Sequence, residues 1–350
     1  MPRWLLVVAV LVAACREVTP PILVAERAPD VAHTAKLPGG FPFSPITLGF
    51  AATAVGANGD VLGRVVNGAV RAVHYRAGVL TMLRTHPSYS APGTQYHAAA
   101  VNGAGQIAGF INASAGMVGM YWSSPSAAPV AFATQGVLRS VTGISDAGVI
   151  VGSIDGFAEV PNRAFRWSLG TGLRPLPSAG VPWSPAAVNA AGEVAGVSAQ
   201  SRLVRTTVAG GYVDQILGRP FRITGILGNG TVTLLDSVQA LIWTRQGSVS
   251  PQLDPATGLA LGRAIAMVGP TGRVAWSRYA TPNGSFSPYP VETAVTGGAT
   301  VVLNTPTGQT KVVGMTSCGA VVTDNAVVPG VAVYWAKGAL FGCDAPTPLP

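Results

Sequence analysis

From about residue 51 onward the chain repeats one arrangement of apolar and polar positions. A short apolar stretch, a polar turn ending in glycine and a second apolar stretch recur as AVGANGDVLG (54–63), AVNGAGQIAG (100–109), GISDAGVIVG (143–152) and AVNAAGEVAG (187–196). Looser copies follow as ILGNGTVT (226–233), MVGPTGRVA (267–275) and MTSCGAVV (315–322). The turn glycines are Gly59, Gly105, Gly148, Gly192, Gly230, Gly272 and Gly319, so the period averages about 43 residues. Apolar stretches of this length, joined by Asn/Gly turns that accept positive φ, predict strand hairpins. A strand ending in an aromatic follows each turn by roughly 16 residues: VHY (73–75), MYW (120–122), AFRW (164–167), LIW (241–243) and VYW (333–335). A glycine or serine then introduces a final strand, such as GVLTML (78–83), GLRPL (172–176) or GALF (338–341).

Four strands per unit at a period of 40 to 50 residues predict an all-β chain folded as a single β-propeller. The expected domain covers 45–343, with seven blades of four antiparallel strands and boundaries near 85, 133, 177, 216, 254 and 300. Two units depart from the pattern. The fourth has Leu203-Val-Arg-Thr206 where an aromatic is expected, and the Pro/Ser-rich run Thr281 to Pro290 obscures the third strand of the sixth. Six or eight blades are therefore the alternatives.

The 350 residues are 10% charged and 48% hydrophobic, with 44 glycines and 28 prolines. That composition excludes a disordered chain and a long helical or coiled-coil protein. The N-terminus reads as a targeting segment: one basic residue, Arg3, then a ten-residue apolar run from Leu5 to Ala14. So short a run is a signal-peptide core and not a membrane-spanning helix. Val12-Ala-Ala-Cys15 resembles the bacterial lipobox. That resemblance implies cleavage before Cys15, lipidation of Cys15, and a mature protein held to a membrane without spanning it. Arg16 stands where an aspartate would signal inner-membrane retention, which favours the outer membrane or cell surface in a diderm organism. On this reading 1–14 is the leader, 15–44 a Pro-rich disordered tether and 344–350 a Pro-rich tail.

The units also resemble the HAF repeat, a bacterial extracellular repeat with the pattern Ala-x-Asn-x-x-Gly-x-Val-x-Gly followed by Ala-Phe-x-Trp. Its naming triplet reads here Arg71-Ala-Val, Arg163-Ala-Phe and Gln239-Ala-Leu, without the histidine. The resemblance implies a surface or periplasmic propeller and no defined activity.

Residues that recur are scaffold by default. Trp122, Trp167, Trp243 and Trp335 read as packing between sheets, and Asn58, Asn102 and Asn189 as turn chemistry. Ligand contacts are expected in what does not repeat. The long connections Arg84 to Tyr96, Pro177 to Pro185 and Asn283 to Val291 carry Tyr89, Tyr96, Trp183, Phe286 and Tyr289, on the face away from the hairpin turns. Ser123 to Pro129 falls on the hairpin side. No cofactor and no metal are expected, since the four histidines lack zinc spacing, and no nucleophile elbow or phosphate loop is present. Asp155, Glu159 and Asp236 are carboxylates that a propeller can gather at its axis.

The net charge is +8, or +7 once Arg3 leaves with the leader. Its arginines are spread out, so no nucleic acid is expected as a partner, while attraction to acidic envelope polymers is a candidate. Cys318 and Cys343 remain after Cys15 in an oxidising setting, which favours a disulfide closing the last blade. Against it, one cysteine lies in the first hairpin turn and the other after the last strand. The favoured function is a monomeric, lipid-anchored, non-enzymatic binding or scaffold protein of the cell envelope. The alternative is a carbohydrate-active hydrolase or lyase with its site at the propeller mouth.

Overall fold

The computed structural model describes residues 43–67, 69–113, 116–132, 138–155, 164–206, 210–236, 239–253, 264–268, 274–278, 292–296, 300–303, 310–316, 319–325 and 332–337. These residues form seven four-stranded antiparallel sheets. The first strands, Ala51–Val55, Gln95–Val101, Leu138–Ile144, Trp183–Val188, Phe221–Ile226, Ala264–Val268 and Thr310–Met315, stand side by side around an axis. Within each sheet we count strands outward from that axis. First-to-second and third-to-fourth turns then lie on one face, the hairpin face. Second-to-third loops and the connections between sheets lie on the other.

The expectation of seven consecutive four-strand units needs correction. Only six blades are four strands consecutive in the chain. The remaining sheet joins Thr310–Met315, Val321–Asn325 and Ala332–Lys337 to an outer strand from the other end of the domain, Phe43–Thr47. Phe43 pairs with Lys337 and Thr47 with Val333. The strand begins two residues inside the segment read as tether, and GALF (338–341), read as the last blade's outer strand, lies outside the described residues. Pro45 is tolerated there because an outermost strand has one unpaired edge. The Asn283 to Val291 stretch is not a connection between blades either. It falls between the second strand of blade six, Val274–Arg278, and the third, Glu292–Thr296.

Six of the seven predicted turn glycines are described, and all have positive φ, for example +77° at Gly105 and +79° at Gly230. The turn asparagines do more than shape their own turn. Asn102 accepts from Ala104 N and Gln106 N through Oδ1, while its Nδ2 donates at 2.8 Å to the carbonyl of Ser145 in the next blade. Asn58 donates to Gly103 O and Asn189 to Leu227 O, again across a blade junction. Gly103 N in turn donates to Asp146 Oδ1. The hairpin face is therefore a run of turns bonded blade to blade. Replacing buried Asn102 with alanine strands several of these groups, so Asn102→Ala is expected to lower unfolding free energy by about 2–4 kcal/mol in a urea titration.

The third-strand aromatics fill the junctions between sheets. Trp122, Trp167, Trp243 and Trp335 are buried. The residue preceding the aromatic packs against the aromatic of the following blade: Tyr121 lies 5.5 Å from Trp167, ring to ring. In blade four this position is Arg205, whose guanidinium sits 4.8 Å over Trp243 and donates to the carbonyls of Gly230, Thr244 and Arg245.

Candidate binding face

The axial channel, about 420 Å³, is lined by first-strand residues such as Thr53, Ala100, Thr142, Val188, Gly225 and Met315. Thr53 and Thr142 turn their hydroxyls to the next blade, donating to Ala98 O and Pro185 O. A β-bulge in the first strand recurs in six of the seven sheets, for instance between Ala98 and Ala100. Beyond the bulge, toward the face away from the hairpins, the pairing brings a second ring to the channel entrance. Its register pairs are Ala51/Arg64, His97/Phe110, Ser140/Ser153, Ser184/Val197, Arg222/Leu235, Ala264/Arg278 and Lys311/Asp324.

Among the described side chains Arg64, Arg222 and Lys311 are exposed here and Asp324 is the one carboxylate, so the entrance is cationic. Asp324 is only 6% exposed, and its Oδ1 has no hydrogen-bond partner. Burial raises its pKa above the usual aspartate value, against the lowering pull of Lys311, the Asn325 amide and Arg64. The His97 ring stacks on Phe110 at 4.8 Å. Burial first, and Arg64 second, lower its pKa, so it is neutral at physiological pH and adds no charge. Flanking the ring, Arg139 holds Asp155 at 2.5 Å and Arg219 holds Asp236 at 2.9 Å. Ser140 and Ser153 share a hydrogen bond of 2.7 Å.

The raised Asp324 pKa carries a sign for stability. A carboxyl whose folded pKa exceeds its unfolded value contributes stability below the unfolded pKa, and loses it as pH rises through the folded pKa. Asp324→Asn is therefore expected to be more stable than wild type at pH 7 and to lose most of that advantage near pH 3, read from melting temperatures at the two pH values.

The aromatic candidates divide. Tyr89 is partly exposed on the connection between blades one and two, its ring 5.2 Å from His86. Tyr96 is 3% exposed and its hydroxyl donates to Tyr89 O and accepts from His86 N, so it braces that connection and offers a ligand no surface. Trp183 is likewise a core residue, 1% exposed at the start of a first strand, with Nε1 donating to Pro177 O at 2.8 Å. Phe286, Tyr289, Glu159, Cys15, Cys318 and Cys343 lie outside the described residues. Sequence reasoning missed Arg64, Arg222, Lys311 and Asp324. Their signal was available in the repeat as the column four residues before the end of each first strand, with its cross-strand partner, where the residue type varies most.

Among the described residues, no group of three or more His, Cys, Asp or Glu side chains is placed to hold a metal ion, and no helix is long and apolar enough to cross a membrane. Fold and site define a β-propeller with a cationic channel entrance. No family model and no curated protein matches the chain. Solved structures do. One described as YCF48 bound to D1 peptide superposes with a TM-score of 0.53 at 10% identity, covering 87% of this chain and 98% of that one. PorZ, a surface component of the type-IX secretion system of Porphyromonas gingivalis, gives 0.53 at 8% identity, over 79% of this chain and 45% of its own. A putative TolB from Agrobacterium tumefaciens gives 0.40 at 11% identity, over 61% of this chain. At these identities the likeness is one of fold.

Proposed function

We propose that this protein is a non-enzymatic binding or scaffold protein of the cell envelope, lipid-anchored through Cys15 after export, whose propeller takes an acidic segment of a partner protein at the channel entrance. The observation that carries the reading is the set of cations Arg64, Arg222 and Lys311 at the entrance of a channel walled by uncharged residues. Such a set attracts acidic chains over distance and orients them on approach. A structural neighbour solved with a peptide bound, and another on a bacterial surface, support a protein partner and an exported location. The lipobox-like tetrad and the stretch before Phe43 supply the anchor and spacer.

The test is fluorescence anisotropy with two panels of synthetic nonapeptides, acidic and neutral, against protein beginning at Glu17. Acidic peptides are expected to bind more tightly than neutral ones, with affinity falling as salt is raised. The double variant Arg64→Ala/Lys311→Ala is expected to weaken them about tenfold or more, and Asp324→Asn to strengthen them several-fold. Equal binding of acidic and neutral peptides, or no response to the double variant, overturns the reading.

A further inference from the structure

At the junction between blades two and three, Ala108, Tyr121 and Phe132 of one blade and Ile150 of the next surround Trp167. The register transfers these positions to the following junction. Ile107 pairs with Trp122, Ile150 with Trp167 and Val194 with Thr206. The corresponding set between blades three and four is thus Val151, Arg166, Leu176 and Val194 around Thr206. The ring is missing. In its place is a cavity of about 160 Å³, lined by Val149, Val151, Arg166, Leu176, Val194 and Thr206 among others. Its lining runs from the Ser145 and Gly192 turns of the hairpin face to Pro177 of the connection between the two blades. Tyr212 pairs with Thr206 and packs against the same cluster, yet the space remains.

We propose that this vacancy is a binding pocket for one planar aromatic ring carrying an N–H or O–H group. The volume fits: an apolar cavity of about 150 Å³ takes up benzene. Thr206 Oγ1 is buried in a residue only 1% exposed, lines the cavity and has no hydrogen-bond partner, so it waits for a donor or acceptor. Arg166 occupies the position of Tyr121 and Arg205, the residue that lies over the ring of the next blade. Arg205 shows what an arginine does there when a ring is present, with its guanidinium 4.8 Å over Trp243. Arg166 offers an incoming ring the same cation–π partner. The pocket shares no lining residue with the cationic entrance and does not depend on it. Its occupant is either an aromatic side chain of a partner peptide or a free aromatic molecule.

The test follows the methyl resonances of Val149, Val151, Leu176 and Val194 on the intact protein during titration with indole, N-methylindole and a tryptophan-containing pentapeptide. Saturable shifts confined to these methyls are expected with indole. Thr206→Trp, which restores the repeat's own ring, should abolish them and raise the melting temperature, and Arg166→Ala should weaken them several-fold. Thr206→Val keeps shape and removes the hydroxyl: wild type should prefer indole to N-methylindole, and this variant should bind them alike. Response to the pentapeptide as well as indole assigns the pocket to a protein partner; response to indole alone assigns it to a small molecule. No saturable shift with either, or equal shifts in a folded Thr206→Trp protein, overturns the proposal.

Discussion

A chain beginning at Leu48 is expected to melt about 10 °C or more below one beginning at Glu17. The strand Phe43–Thr47 pairs along its whole length with Ala332–Lys337 as the outermost strand of the last sheet, while beyond it Leu48 N donates to Ala332 O and Phe50 O accepts from Ala332 N, bonds that the shorter chain keeps. Its removal deletes about four to five backbone hydrogen bonds, each worth on the order of 1 kcal/mol net, and the packing of Ile46 on the cluster around Phe50 and Tyr334. For a domain this large, about 2–4 °C is lost per kcal/mol. It also exposes an unpaired strand edge, which favours association. Scanning fluorimetry and size-exclusion chromatography of the two proteins check this. Equal melting temperatures would mean the strand contributes nothing.

The second large effect is expected from a methyl group. The repeat ends in Gly63, Gly109, Gly152 and Gly196, each in a second strand opposite the first-strand bulge. A Cβ at Gly109 would run into the His97 carbonyl oxygen, and one at Gly152 into Ser140 O and the ring of Phe165. Gly63 and Gly196 meet the equivalent carbonyls of Ala51 and Ser184, with Phe50 and Trp183 behind. Backbone cannot yield as a flexible side chain can, so Gly109→Ala or Gly152→Ala should cost about 3 kcal/mol or more, or prevent folding. Gly105→Ala is the control. Its φ is +77°, but open space surrounds the missing side chain, and the cost there is about 1 kcal/mol. Urea unfolding of the three variants separates collision from backbone strain, and equal losses at Gly105 and Gly109 would refute the role given to the bulge.

The period of the turn glycines made the sheets legible, because a hairpin needs positive φ at one point and little else can supply it. Strand closure was not legible. Phe-Ser-Pro-Ile-Thr sits at the end of a Pro-rich stretch, and its partner is almost 300 residues away in the chain, beyond any local pattern. Trp183 was misleading for a related reason. A large aromatic beside Pro177 to Pro182 looks like a loop tip, yet it begins a strand and packs over Gly196. The turn asparagines were understood as local chemistry, and only the arrangement of neighbouring blades reveals the bond to the next turn. The entrance ring stayed hidden because its members are separated by whole repeats, and because the bulge shifts which positions of a first strand share a side.

The most direct measurement of the binding account is site-specific photo-crosslinking in the native cell, with a photoreactive residue at exposed Gln95 beside the channel entrance or at exposed Ala57 on the hairpin face. The account predicts a discrete protein adduct from position 95, absent from position 57 and lost when Arg64→Ala and Lys311→Ala are added. Adducts from both positions alike, or an adduct at 95 that survives removal of the two cations, would contradict it.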